Sequence, residues 1–145
     1  MRALSIQQPW AYCITHGSKR VENRTWSTAY RGPLLIHAGK RYQTGMGALI
    51  HADSPEVDVE GMLHAPRGAI VGVCRLVDCF GPQAEQFQPR FPSDQRIWSD
   101  PIQFKFLLTE VQAFADPIPW KGALGFFDVP DDVVASALAT LPGFE

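Results

Sequence analysis

Three side chains within six residues carry the clearest chemical potential: Lys19, Glu22 and Arg24. Lys19 follows Gly17, a residue placed to stop a helix, so it is expected in a connecting turn from which its ammonium can swing over a cleft. There it would hold a phosphate as a point charge or, if desolvated, transfer a proton. Glu22 and Arg24 stand two apart on an extended segment and therefore share one face. Arg24 can offer its fork to a phosphate or a base edge, while Glu22 can accept from a base amino group or act as a general base. Surrounding cations stabilise a lone carboxylate and make it a poor base near neutrality, which favours ligand orientation over catalysis. The plainer readings are a solvated turn lysine and an internal ion pair that stiffens a strand.

Aromatic and basic residues flank this group. Trp10 falls on the apolar face of an expected helix and reads as core, whereas Trp26, at a strand end among polar neighbours, is the better stacking platform for a base. His37 ends an apolar run near a rim; it reads as a structural histidine with a minor ligand role. Arg31 and Lys40 bound the same run and could extend a phosphate track. His16, His51 and His64 lack metal-ligand spacing, and Cys13, Cys74 and Cys79 form no CxxC pair. No metal and no cofactor are expected, and the cysteines read as reduced, mostly buried small hydrophobes.

The 145 residues suit one domain, 1–145, with 46% apolar and 19% charged side chains, enough to build a sizeable interior. Net charge is −2, which at first argues against a nucleic-acid ligand. The distribution reverses that impression. Residues 1–50 hold seven Lys/Arg against one acid, Glu22, whereas 51–100 hold four against eight and 101–145 two against six. An anion would be steered to surface built by the N-terminal third, and the acidic remainder disfavours broad coating of a duplex. No apolar run approaches a membrane span, and the opening segment is too quickly polar for a signal peptide, so a cytoplasmic protein without membrane contact is expected.

The positioning elements follow from pattern and punctuation. A strand over Ala3–Ile6 precedes a two-turn helix over Gln8–His16, then an extended segment over Arg20–Trp26. Leu34–Ala38 is an apolar run of strand length, expected to be buried on both faces. Short helices are expected around Ala48–Ile50 and after Ser54, the latter turning Val59, Met62 and Leu63 inward. Gly68–Phe80 is the longest β-like run, with Gly72 suited to a bend. Gly81–Pro101 reads as an irregular excursion with a short helix near Ala84–Phe87. Gln103–Leu108 continues as a strand toward Phe114 until Pro117 and Pro119 break it; Ala123–Val129 is a last strand, and Asp131 opens a closing helix to Leu141. The class is α+β: a small, mostly antiparallel β-barrel of five or six strands with peripheral helices.

Residues 17–24, GSKRVENR, fit G-x-K-x-x-E-x-R, which resembles the signature of the ASCH family (activating signal cointegrator homology) in the PUA-like superfamily. Leu4-Ser5-Ile6 with Gln8-Pro9-Trp10 before it, and Trp26, Tyr30-Arg31-Gly32 and Leu35–Ala38 after it, are similar in order and spacing. Gly68–Phe80, Phe104–Phe106, Lys121-Gly122 and Gly125-Phe126 resemble the later segments. The set extends over nearly the whole chain and is similar both to the cointegrator domains that name the family and to stand-alone prokaryotic relatives. The resemblance implies a PUA-like barrel, a cleft beside the motif, and RNA or another nucleotide-like ligand. It also places Lys121 on the opposite wall. Some small bacterial members hydrolyse N4-acylcytidine and others are ribonucleases, which makes a hydrolase with Lys19 and Glu22 as the proton-transfer pair the alternative. The amidohydrolase pattern has a Thr three residues after the motif Lys, where this chain has Glu22, so that chemistry does not carry over intact. A surface for a protein partner is the third reading.

Overall fold

The computed structural model describes residues 1–144. Six strands form one sheet: β1 (Arg2–Gln8), β2 (Val21–Arg24), β3 (Gly32–Tyr42), β4 (Ala69–Phe80), β5 (Phe104–Pro119) and β6 (Phe126–Asp128). Their order is β2-β5-β4-β3-β1-β6. The β1/β3 pair is parallel and the other four are antiparallel, so the sheet is mixed. It does not close, because β2 and β6 stand at its two edges. The expected antiparallel barrel is thus corrected to a six-stranded mixed, open sheet with helices. β1 and β3 are joined through a helix and a strand of the opposite edge, a connection long enough to permit a parallel pair.

Alternation along the strands explains the layers. Leu4, Ile6, Leu34, Ile36, Leu76, Phe106 and Leu108 fill one side, while Ala3, Leu35, Ile70, Val73 and Phe114 turn to the other. That second face is covered by α5 (Asp131–Ala139) through the buried Val134. A further cluster joins Cys13, Val21, Ile50, Met62, Phe80, Phe91 and Trp98. It ties α1 (Trp10–Thr15), α2 (Gly47–Asp53) and α3 (Val59–Leu63) to the excursion that holds α4 (Ala84–Phe87) and a 3₁₀ turn, Ser93–Trp98. Burial pushes the Cys13 thiol up to about 11 and the Cys74 thiol up to about 12. Among the described residues no helix is long and apolar enough to cross a membrane.

Several boundaries differ from the sequence reading for identifiable reasons. α3 is capped by Asp58, whose carboxylate accepts from the Gly61 N–H at 2.8 Å, rather than by Ser54. Met62 points inward, but Leu63 faces solvent. Pro117 and Pro119 do not end β5. The Trp120 N–H bonds the Gly68 carbonyl on the β4 side, so residues 119 and 117, one and three positions back, direct their missing donors to the opposite, unpaired edge. The 3₁₀ turn lacks apolar periodicity and was not legible.

Gly72 marks the bend in β4. Register slips beside it on both partners, between Ile36 and His37 on β3 and between Ile70 and Gly72 against β5. A Cβ there would stand 2.7 Å from the Gln112 carbonyl oxygen and 3.2 Å from the Thr15 Cγ2. Backbone cannot yield as a flexible side chain would. Gly72→Ala is therefore expected to cost about 1–3 kcal/mol, read as a lower urea midpoint; an unchanged midpoint would refute the close approach.

Candidate nucleic-acid interface

The motif begins where α1 stops. Gly17 allows the chain to pass close under Val57, since a Cβ would lie 2.6 Å from its Cγ2 and 2.7 Å from the Cys13 carbonyl oxygen. Arg20 then turns back: its Nη1 donates to the carbonyls of Ile14, Gly17 and Lys19 at 2.8–3.1 Å, satisfying the end of the helix. This leads into β2, which pairs with β5 from Val21↔Leu107 to Arg24↔Phe104. Alternation brings Glu22 and Arg24 to one face, as their spacing requires.

Lys19 is not a swinging turn residue. It is 2% exposed, its Nζ donates to the Val21 carbonyl, and the ammonium lies 5.8 Å from the Trp10 ring centre. Glu22 sits between two cations, with Oε1 3.9 Å from Lys19 Nζ and Oε2 3.1 Å from Arg24 Nη1. Arg24 Nη1 also donates to the Ser5 carbonyl at 3.2 Å. Desolvation lowers the Lys19 pKa, and the Glu22 carboxylate opposes that shift.

All three motif side chains line one cleft of about 430 Å³. Gln7, Trp10, Asn23 and Gln43 share its wall, and residues 97–100 with Gln103 close the far side. Trp10 is held there by its Nε1–H, which donates to Gln43 Oε1 at 3.1 Å. The far wall is pinned by two carboxamides. Asn23 donates to the Trp98 carbonyl and accepts from the Asp100 N–H, both at 2.9 Å. Gln95 accepts from the Arg20 N–H at 2.6 Å and donates to the Ser18 carbonyl at 2.9 Å. Beneath this wall the buried Lys105 ammonium meets Glu85 at 2.5 Å and the Asp100 carbonyl at 3.2 Å. The Trp98 indole N–H is buried on the same wall without a hydrogen-bond partner among the described residues.

The remaining expected residues divide. Lys40 and Lys121 line a second cavity of about 560 Å³, which shares Gln7 and Arg24 with the first. His37 supports that cavity: it is buried, with Nε2 donating to the Trp120 carbonyl at 2.7 Å and Nδ1 3.0 Å from Ser5 Oγ. Arg31 lies apart, before the start of β3 and roughly 30 Å along the strand from Lys40. Its guanidinium faces Asp78 at 3.6 Å. Trp26 is half-buried and packs edge-on against Phe106 and Phe126, each at 5.1 Å. Trp10 packs against the core as expected and also lines the cleft, whereas Trp26 packs among aromatic rings away from it. Asn23, Gln95, Gln103 and Trp98 were missed; the motif flagged only charged side chains, and amides reveal themselves through partners distant in sequence.

Residues 4–118 match the ASCH domain. The chain belongs to the ASCH domain family. This ASCH chain is 37% identical over 123 residues to activating signal cointegrator 1 of Mus musculus and 33% identical to that of Homo sapiens, in each case over 82% of this chain. It spans only 20% of the length of those relatives. A crystal structure of ASCH from Zymomonas mobilis shares the fold, with a TM-score of 0.56 at 14% identity over 99% of this chain and 97% of that one. The family match ends before Lys121, so the Trp120–Leu124 wall of the second cavity lies outside the matched ASCH residues.

Two outcomes follow from this geometry. Asn23→Ala removes two hydrogen bonds that fasten the far wall, so stability should fall by about 1–3 kcal/mol and proteolysis near residues 93–103 should accelerate. Limited proteolysis unchanged from wild type would contradict it. The second outcome concerns pH. An unfolded Lys holds its proton to about pH 10.4, whereas buried Lys19 releases its proton earlier. Between the lowered folded value and the unfolded one the unfolded chain binds more protons, so stability rises with pH in that window, and the penalty is fully present below it. Urea midpoints measured from neutral to alkaline pH should rise less in Lys19→Met than in wild type; equal slopes would show that Lys19 is not desolvated.

Proposed function

We propose that this ASCH domain binds single-stranded RNA by receiving one unstacked base in the motif cleft. The observation that carries the reading is the convergence of Lys19, Glu22 and Arg24 on one open cleft beside an aromatic wall. Lys19 is engaged with backbone and Glu22, so its role is to hold the carboxylate rather than to touch a phosphate. Glu22 then presents an acceptor suited to a base amino group, and Gln7 and Gln103 add carboxamides that read base edges. Trp10 supplies the stacking face. A cleft of about 430 Å³ accepts a base only after it has left the stack, which favours single strands over duplex.

One observation favours a hydrolytic second reading: burial moves the Lys19 amine toward the neutral form beside Glu22, a feature of proton-transfer sites. Incubation with RNA and with acylated cytidines separates the two, since turnover abolished by Lys19→Ala belongs to the second reading alone.

Binding of a labelled single-stranded RNA, followed by anisotropy, is expected to weaken linearly in log K against log salt. Trp10→Ala should cost about 1–3 kcal/mol, with Trp10→Phe recovering part of it. No binding at low salt, or full affinity in Trp10→Ala, would overturn the reading.

A further inference from the structure

The two cavities that meet at Arg24 differ sharply in charge. The motif cleft sets Lys19 and Arg24 against Glu22 and Asp100, which leaves it near neutral. The neighbouring cavity is lined by Arg24, Lys40, Arg41 and Lys121 and by no carboxylate. Lys40, Arg41 and Lys121 are exposed and form no ion pair among the described residues. Arg24 commits Nη1 to Ser5 and Glu22, while its Nη2 and Nε make no hydrogen bond to the described residues.

From this division we infer that the second cavity is a phosphate site that takes the backbone linkage adjoining the base held in the motif cleft. The inference rests on the nucleic-acid reading of that cleft and adds a separate subsite to it. A neutral base suits the neutral compartment, and the anionic linkage suits the one without acids, where four cations bring charge-assisted contacts. Arg24 and Gln7 form the shared boundary, so the ligand passes from one compartment to the other over the guanidinium. Lys40 and Lys121 come from different elements: β3 carries the first two residues before its end, and the loop after β5 carries the second.

His37 makes that arrangement rigid. Its Nε2 faces a carbonyl oxygen, which accepts only, so this nitrogen carries the proton and fixes the loop at Trp120, next to Lys121. Nδ1 then accepts from Ser5 Oγ in the neutral ring, and Ser5 is the residue whose carbonyl takes Arg24. A histidine thereby helps to position both Lys121 and Arg24.

The test uses a short single-stranded RNA in which every nucleotide but one is abasic, so that the single base fixes the register. A neutral methylphosphonate is walked through the linkages, and affinity is measured by anisotropy for wild type and for the Lys40→Ala/Lys121→Ala double variant. Both lysines are exposed, so the fold should tolerate their loss. Wild type should lose affinity several-fold at one linkage beside the base and little elsewhere, and the double variant should lose that selectivity. Its slope of log K against log salt should also be shallower by about 0.7 for each phosphate contact removed. An equal penalty at every linkage, or an undiminished local penalty in the double variant, overturns the phosphate site while leaving base capture intact. Failure of wild type to bind the unmodified strand overturns both.

Discussion

Arg24 reaches from β2 at one edge of the sheet to the Ser5 carbonyl on β1 near the other. β6 pairs with β1 only from Arg2 to Leu4, so Ser5 lies just past the end of its ladder. A guanidinium takes the place that a further strand residue would hold in a closed barrel. The substitution has two consequences. It ties β2 to β1 without sealing the sheet, and it leaves Nη2 and Nε with no hydrogen bond to the described residues. Glu22 makes the bridge tolerable, because a half-buried guanidinium without an anionic partner would be costly.

Holding Glu22 imposes a demand of its own. A carboxylate clasped by one cation on its Oε2 side turns Oε1 toward Lys19, and Lys19 can answer only from inside the protein. Its burial is what distinguishes this lysine from the turn residue suggested by its place after Gly17. Spacing reveals that Glu22 and Arg24 share a face, because strand geometry is local. It cannot reveal whether a side chain in a turn is covered, since that depends on how α1 and its Trp10 fold back over the turn. The same limit explains the tryptophans. Trp10 occupies the apolar side of a short helix, and only the placement of Gln43 and of residues 97–100 turns its polar edge into a cleft wall. Lys105 is likewise buried, because the excursion through α4 brings Glu85 against it.

The fold was legible to a similar depth. Strand runs and the Ala84–Phe87 helix follow from pattern and punctuation, and the motif with its flanking segments identifies the family. Parallel pairing of β1 with β3 and the open edge are properties of the assembled sheet. Proline at positions 117 and 119 illustrates the difference. As a local signal it ends a strand, but on the unpaired side of β5 the missing donors have no ladder to break.

A net charge of −2 conceals how the site is divided. The basic excess of the first fifty residues does not spread over the surface. Lys19 is spent on Glu22, Arg20 on the end of α1 and Arg31 on Asp78. Lining the second cavity, Lys40 and Arg41 form no ion pair among the described residues, and Lys121 joins them from the acidic C-terminal third. Counting charge along the chain locates the basic excess but not which of its members the fold pairs. Structural cations build the neutral compartment, and the field that an anion would meet comes from those the fold does not use. Arg24 belongs to both sets. Its bridge to Ser5 links β2 to β1 across the open sheet, and it lines both compartments, so the side chain that spans the opening also stands where a ligand would cross.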